Sequence, residues 1–279
     1  MEEMGKPFGY HAVRLLPRRA LTQLAGAVSS IPLPGPARGP VYRLYASAVG
    51  ADLSECGADL ETFPTFNRFF ARPLKDGARP IADFQGMLSP ADGRVDASGT
   101  VSDGRLIQAK GIDYGIGELL LSDPLAQRLN GAGYSTVYLS PADYHRVHAP
   151  SSVRVECVRY CPGELWPVNG LSVPYVDGLF RRNERVVFEL STESGPAALV
   201  MVGATIVGGV EVTHPDIGRV PREARSREWS PEWKLEAGDE VGSFLLGSTI
   251  VLIAQGHAPP TLSAGSLVRV GEPLLPRRS

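Results

Sequence analysis

Three short stretches of this 279-residue chain carry side chains suited to acid–base or nucleophilic chemistry. His145 and His148 lie three residues apart in Tyr144-His145-Arg146-Val147-His148, just after an apolar run that reads as a strand. Two imidazoles can divide the duties of general acid and general base near neutral pH. The same spacing could ligate a metal, but no third ligand is evident, so no metal site is expected. Asp92 sits in Ser89-Pro90-Ala91-Asp92-Gly93, a tight turn in which an ordinary turn aspartate is the simplest role. Ser248 belongs to Leu246-Gly247-Ser248-Thr249, which interrupts two apolar runs at a cost in core burial. In chain order Asp92, His148 and Ser248 supply an orienter, a base and a nucleophile, the three roles of a triad. His11, His214 and His257 have no such context.

These side chains need a scaffold. Hydrophobic residues make up 43% of the chain, and 28 basic side chains against 30 acidic ones leave a formal net charge of -2. That balance argues against a chain that coats nucleic acid and against a disordered acidic protein. No run approaches the roughly 18 to 20 apolar residues of a membrane-spanning helix. The 31 glycines and 24 prolines favour turns and short strands over a helical bundle. Cys56, Cys157 and Cys161 form neither a disulfide framework nor a zinc set and read as reduced thiols. Pro17, Arg18 and Arg19 break any apolar run near the start, which argues against a cleaved signal peptide.

A first helix is expected from Pro17 to about Val28, with Leu21, Leu24, Ala25 and Val28 along one stripe. Arg14, Arg18 and Arg19 at its N-terminal end oppose the helix dipole, which points to an external anionic partner. Residues 29–40 read as a Pro/Gly-rich connector, 41–49 as a second helix, and Phe63, Phe66, Phe69 and Phe70 as a third helical segment. After Pro80, short β-branched or alternating runs separated by turns predict strands at 87–89, 94–98, 106–109, 134–139, 154–158, 185–190, 197–203, 207–212, 243–246 and 250–254. One helix is expected near 116–121, and the tail from His257 reads as irregular apart from a strand at 266–270. The fold class is therefore mainly β (α+β), with packed or partly closed β-sheets preceded by N-terminal helices. Residues 1–75 form the helical region and 76–279 the β-rich catalytic domain.

A set of blocks then recurs in order along nearly the whole chain. They are Phe66-Asn67-Arg68-Phe69-Phe70 with Arg72-Pro73-Leu74, Arg79-Pro80-Ile81, the Asp92 turn, Lys110-Gly111 with Tyr114, and residues 138–150. Pro162-Gly163-Glu164-Leu165, Asn183-Glu184-Arg185, residues 202–208, and Gly242-Ser243-Phe244 leading to Gly247-Ser248-Thr249 complete them. In these blocks the sequence resembles the phosphatidylserine decarboxylase proenzymes that carry Leu-Gly-Ser-Thr at their self-cleavage point.

The resemblance implies that Ser248, deprotonated by His148 with Asp92 orienting the imidazole, attacks the carbonyl of Gly247. The resulting ester, formed as the Gly247–Ser248 peptide bond breaks, then eliminates, separating residues 1–247 from 248–279 and leaving dehydroalanine at the head of the small chain, which water hydrolyses with loss of ammonia to a pyruvoyl group derived from Ser248. That group is the implied cofactor, an electron sink for loss of CO2 from phosphatidylserine. His145 is the implied acid or base of decarboxylation, although an exchange of roles with His148 stays open. The implied partners are phosphatidylserine in an anionic membrane and the two chains of one precursor, with a homodimer possible and no nucleic acid. The implied location is peripheral, on the cytoplasmic face of the cell membrane, with residues 1–75 as the docking region. Rival readings are a pyruvoyl decarboxylase of another serine-headed lipid or a soluble amino acid, and a triad hydrolase, which would lack its Gly-x-Ser-x-Gly elbow. A third is a non-catalytic lipoyl- or biotinyl-like β module, prompted by residues 236–242. Arg181 and Arg182 add unusual charge beside Asn183 and read as a solvated loop.

Overall fold

The computed structural model describes residues 11, 14–109, 112–170, 172–205, 209–246 and 248–278. Gly247, Lys110-Gly111 and Ile206-Val207-Gly208, which belong to motifs named above, lie outside the described residues. Helices α1 (Arg18–Ser29), α2 (Gly35–Val49) and α3 (Phe66–Phe70) precede the strands. Next come β1 (Gly86–Leu88), β2 (Gly93–Thr100), β3 (Arg105–Ala109), β4 (Ile112–Gly115), α4 (Ile116–Leu120), α5 (Asp123–Arg128), β5 (Gly133–Leu139), β6 (Arg146–His148) and β7 (Val153–Cys161). The chain continues through α6 (Leu179–Arg182), β8 (Arg185–Thr192), β9 (Gly195–Val202), β10 (Val210–Val212), β11 (Arg227–Trp229) and β12 (Trp233–Leu235). It ends with β13 (Glu240–Phe244), β14 (Ser248–Ala254), β15 (Leu267–Val268) and β16 (Pro273–Pro276).

An antiparallel sheet in the order β11-β7-β8-β9-β14-β5-β2-β15, with β12 also on β7, dominates the fold. Its pattern explains which strands sit inside. Every residue of β14 is buried, as its unbroken Ile250-Val251-Leu252-Ile253 run demands, whereas β2 and the start of β7 alternate between buried and exposed positions. Smaller antiparallel sheets are β10-β13-β6, β3-β4 and β1-β16. Val147, Val212 and Phe244 of the first join Ile250, Leu119 and Phe180 in one core, while Tyr42, Cys56, Phe63 and Phe69 make a second, N-terminal cluster.

Several expectations change. The connector at 29–40 is largely helix: α2 starts at Gly35, with Pro36 in its first turn, where a missing N–H costs nothing, and it also accommodates Pro40. The tail is not irregular, because β16 pairs with β1. Arg181 and Arg182 end a short helix and pair with Glu118 and Glu164 instead of lying in a solvated loop. Of the basic end of α1 only Arg18 is turned inward, 3.7 Å over the Trp166 ring and bonded to Glu164; Arg14 and Arg19 stay exposed, Arg19 donating to the Gly163 carbonyl. Farther along α1 apolar residues face outward too, with Leu24 62% and Val28 57% exposed while Thr22 and Ser29 are buried. Leu44 of α2 is 73% exposed. Among the described residues no helix is long and apolar enough to cross a membrane.

Candidate active site

Because strand directions alternate, the starts of β2 and β14 and the ends of β5 and β9 meet at one end of the large sheet. Ser248 opens β14 opposite Leu139, the last residue of β5, and Thr249 is flanked by Tyr138 and Val202. Arg94 also pairs with Tyr138, which sets Asp92 two strands from Ser248, about 10 Å across the sheet at ordinary strand spacing. Glycine is required after Asp92, since a Cβ at Gly93 would collide with the Tyr138 carbonyl. Ser248 is fully buried, and its Oγ has no hydrogen-bond partner.

Beyond β5 the chain turns, with Asp143 Oδ2 accepting from the Ser140 amide at 2.6 Å. His145 donates from Nδ1 to the Asp143 carbonyl at 2.8 Å, and its own carbonyl accepts from the Phe244 amide at 2.9 Å. A carbonyl only accepts, so Nδ1 carries the proton and Nε2 presents a lone pair. That Nε2 is buried without a donor. Burial, reinforced by the charge of Arg72, pushes the imidazole down to about 3, so the ring is neutral. Phe70 packs on it at 4.2 Å between centroids.

His148 is half-buried on β6. Its Nδ1 donates to the Gly238 carbonyl at 2.7 Å and Nε2 accepts from the Tyr144 hydroxyl at 3.1 Å. Burial lowers its pKa, opposed by the Gly238 carbonyl and by the Glu240 and Asp92 carboxylates. Its amide donates to the Pro90 carbonyl at 2.8 Å, which ties it to the Asp92 turn. Asp92 itself is gripped by Arg79, whose Nε lies 2.9 and 3.0 Å from the two carboxylate oxygens and whose Nη2 lies 2.5 Å from Oδ2. The Val270 amide adds a bond at 2.9 Å, and Glu55 holds Arg79 from its other side at 2.9 Å. The Pro90 carbonyl thus ties His148, on the small sheet, to the Asp92 turn, and Ser248 opens β14 two strands from that turn; no hydrogen bond joins the Asp92, His148 and Ser248 side chains to one another. No group of three or more potential metal ligands occurs among the described residues.

Arg79, Glu55 and Tyr144 were not singled out for chemistry in the sequence. Spacing could not find them, because residues as far apart as 55, 79 and 92 meet only through the tertiary fold. An apolar groove of about 690 Å³ completes the site, lined by Val28 of α1, Tyr45 of α2, Phe66 and Phe70 of α3, Pro141 and Leu246. Phe70 lines the groove and packs on His145, and Leu246 lines it two residues before Ser248.

Comparison with known proteins gives the family of the chain. The phosphatidylserine decarboxylase family model matches residues 66–275. A phosphatidylserine decarboxylase proenzyme of Anaeromyxobacter sp. (strain K) is 46% identical over 274 residues, covering 94% of this chain and 96% of the relative. The proenzyme of Myxococcus xanthus (strain DK1622) is 37% identical, covering 93% and 95%, and that of Aliivibrio salmonicida (strain LFI1238) is 40% identical, covering 93% and 92%. The chain belongs to the phosphatidylserine decarboxylase family, and with it to the carboxy-lyases.

Proposed function

We propose that this chain converts phosphatidylserine to phosphatidylethanolamine with a pyruvoyl group made from its own Ser248, after breaking the Gly247–Ser248 bond. The observation that carries the reading is the buried, unpartnered Ser248 hydroxyl at the head of the central strand, next to a groove of lipid-chain character. The Ser135, Thr136 and Thr249 hydroxyls are also buried without a partner, so what sets Ser248 apart is its place at the first residue of β14, two residues beyond Leu246 of the groove. The residues present fit such a group, which would supply an electrophilic carbonyl and an electron sink for the departing CO2.

In maturation, Ser248 Oγ attacks the Gly247 carbonyl while His148 takes its proton and Asp92 steadies the resulting imidazolium. The Nε2 lone pair of His148 is committed to Tyr144, so that hydroxyl must yield before Ser248 can deliver its proton. Cleavage would leave residues 248–279 in place, since β14 is paired on both edges, β15 pairs with β2 and β16 with β1. In decarboxylation, the neutral His145 handles the proton and the Phe70 ring keeps water from it. Exposed Leu24, Val28 and Leu44 meet the lipid surface, and acyl chains enter the groove. The test is to supply the purified full-length chain with phosphatidylserine vesicles and follow CO2 and ethanolamine lipid. Turnover by the wild type and none by Ser248→Ala supports the reading, and equal activity of both removes it.

A further inference from the structure

His148 is engaged at both ring nitrogens. Nδ1 donates to the Gly238 carbonyl at 2.7 Å, which fixes the proton there, because a carbonyl only accepts. The lone pair that remains, on Nε2, is taken by the Tyr144 hydroxyl at 3.1 Å. Burial pushes the Tyr144 phenol above its usual pKa, so it keeps its proton and is the donor of that bond. Tyr144 is 7% exposed, and its ring lies along the imidazole, 28° from parallel with 5.6 Å between centroids, so packing holds the hydroxyl in place.

The charged groups nearby leave this arrangement intact. Glu240, opposite His148 on β13, bonds Arg146, and Asp92 bonds Arg79 and the Val270 amide. Among the described residues neither carboxylate hydrogen-bonds the imidazole. The Gly238 carbonyl holds the orienting place, and its own turn is rigid. Gly238 sits at φ +89°, in the left-handed region, its amide donates to the Ala149 carbonyl at 3.0 Å, and the Asp239 carbonyl accepts from the Ala149 amide at 2.8 Å. The base is therefore neutral at Nε2 and correctly oriented, yet the lone pair that Ser248 needs is already bonded.

Building on the self-cleavage reading above, we infer that Tyr144 is a positioning residue that sets the rate of maturation: its hydroxyl holds the Nε2 lone pair of His148 in the precursor, and cleavage waits for that bond to open. Once it opens, Nε2 takes the Ser248 hydroxyl proton as Oγ bonds the Gly247 carbonyl carbon. The same proton passes to the Ser248 nitrogen as the C–N bond breaks, so the proton count closes. A bond made in the resting precursor and lost before the transition state adds its strength to the barrier.

Tyr144→Phe removes the hydroxyl and keeps the ring. Full-length wild type and Tyr144→Phe are made by cell-free translation with a radiolabel, and conversion of precursor into two chains is timed on gels. Losing a neutral hydrogen bond of the resting state predicts cleavage about 3 to 10 times faster in Tyr144→Phe. Damage to the fold would slow cleavage, so acceleration separates positioning from a structural role. The second readout is nitrogen NMR of isotope-labelled histidine rings on a Ser248→Ala background, which stays uncut. Nδ1 of His148 should remain protonated in both chains, and the Nε2 resonance should move to that of an unbonded acceptor in Tyr144→Phe. Equal or slower cleavage, or an Nε2 resonance that stays put, overturns the assignment; slower cleavage would make the phenol a proton relay instead. If Tyr144→Phe does not fold, a ring-fluorinated tyrosine in place of Tyr144 decides the matter. It is a stronger donor and should slow cleavage, and an unchanged or faster rate overturns the assignment. A wild-type chain that never cuts itself would instead remove the reading on which the inference rests.

Discussion

Replacing Arg79 with methionine leaves the Asp92 and Glu55 carboxylates without their shared counter-charge. The Arg79 side chain is 11% exposed and that of Asp92 9%, so water screens their contact weakly. Breaking one side of such a pair costs about 3–5 kcal/mol. Asp92 keeps its Val270 amide bond and Glu55 is partly exposed, so the lower end, about 3 kcal/mol, is expected for Arg79→Met. At roughly 2–4 °C per kcal/mol for a chain of this size, the thermal midpoint should fall by about 6–12 °C. Asp92→Asn still accepts from Val270 but leaves the guanidinium with Glu55 as its one carboxylate partner, and should cost about 2 kcal/mol. With both charges removed, the double variant should be less destabilised than the sum of the single variants by about 2 kcal/mol. Thermal and urea unfolding of all four chains on a Ser248→Ala background would keep them covalently alike. Additive costs, or single variants within about 0.5 kcal/mol of the parent, would refute the view that Arg79 is what holds Asp92 in place.

His148→Ala should stop cleavage of the chain, whereas His145→Ala should permit cleavage and lose CO2 release, read by gel and by radiolabelled headgroup. The buried neutral ring of His145 should make stability fall with acid: between the unfolded value of 6.5 and the native value of about 3, the unfolded chain binds a proton that the folded chain refuses. Its contribution is whole above that window and lost as pH falls through it, by roughly 2 kcal/mol at pH 5, and His145→Gln should flatten the slope of midpoint against pH. Leu24→Glu with Leu44→Glu should weaken sedimentation with anionic vesicles at least tenfold, by about the transfer energy of two leucines, while leaving the midpoint nearly unchanged because both side chains are exposed.

Much of the fold was legible because buried strands announce themselves. The apolar run at Ile250–Ala254 and the small, β-branched runs at 134–139 and 197–203 became the middle of the sheet. Strands of two to four residues, such as Ile112–Gly115, Arg146–His148 and Pro273–Pro276, were missed because too few positions carry the alternation. Prolines misled at Gly35–Val49, where they sit at positions a helix tolerates. For the site, His145 and His148 stood out by residue type and spacing, whereas Asp92 and Ser248 gained meaning only in combination and through the family resemblance; in the structure the Asp92 turn is tied to His148 through the Pro90 carbonyl. What holds them was hidden: the Arg79 fork, the Tyr144 bond to His148 and the Phe70 cover are long-range or rotamer-level contacts that no spacing encodes. The inward turn of Arg18 was hidden for the same reason, since Trp166 and Glu164 lie far away in sequence.

The central claim is that Ser248 cuts its own chain and becomes the reactive group. Intact mass spectrometry of the freshly expressed full-length chain tests it most directly. Two polypeptides are expected, residues 1–247 and residues 248–279, which co-purify until denatured, with the smaller resistant to N-terminal sequencing because its first residue no longer carries an amine. Ser248→Ala should give one intact chain of 29.9 kDa. A single uncut wild-type chain that still decarboxylates phosphatidylserine, or a small chain that begins with an ordinary serine, would contradict it.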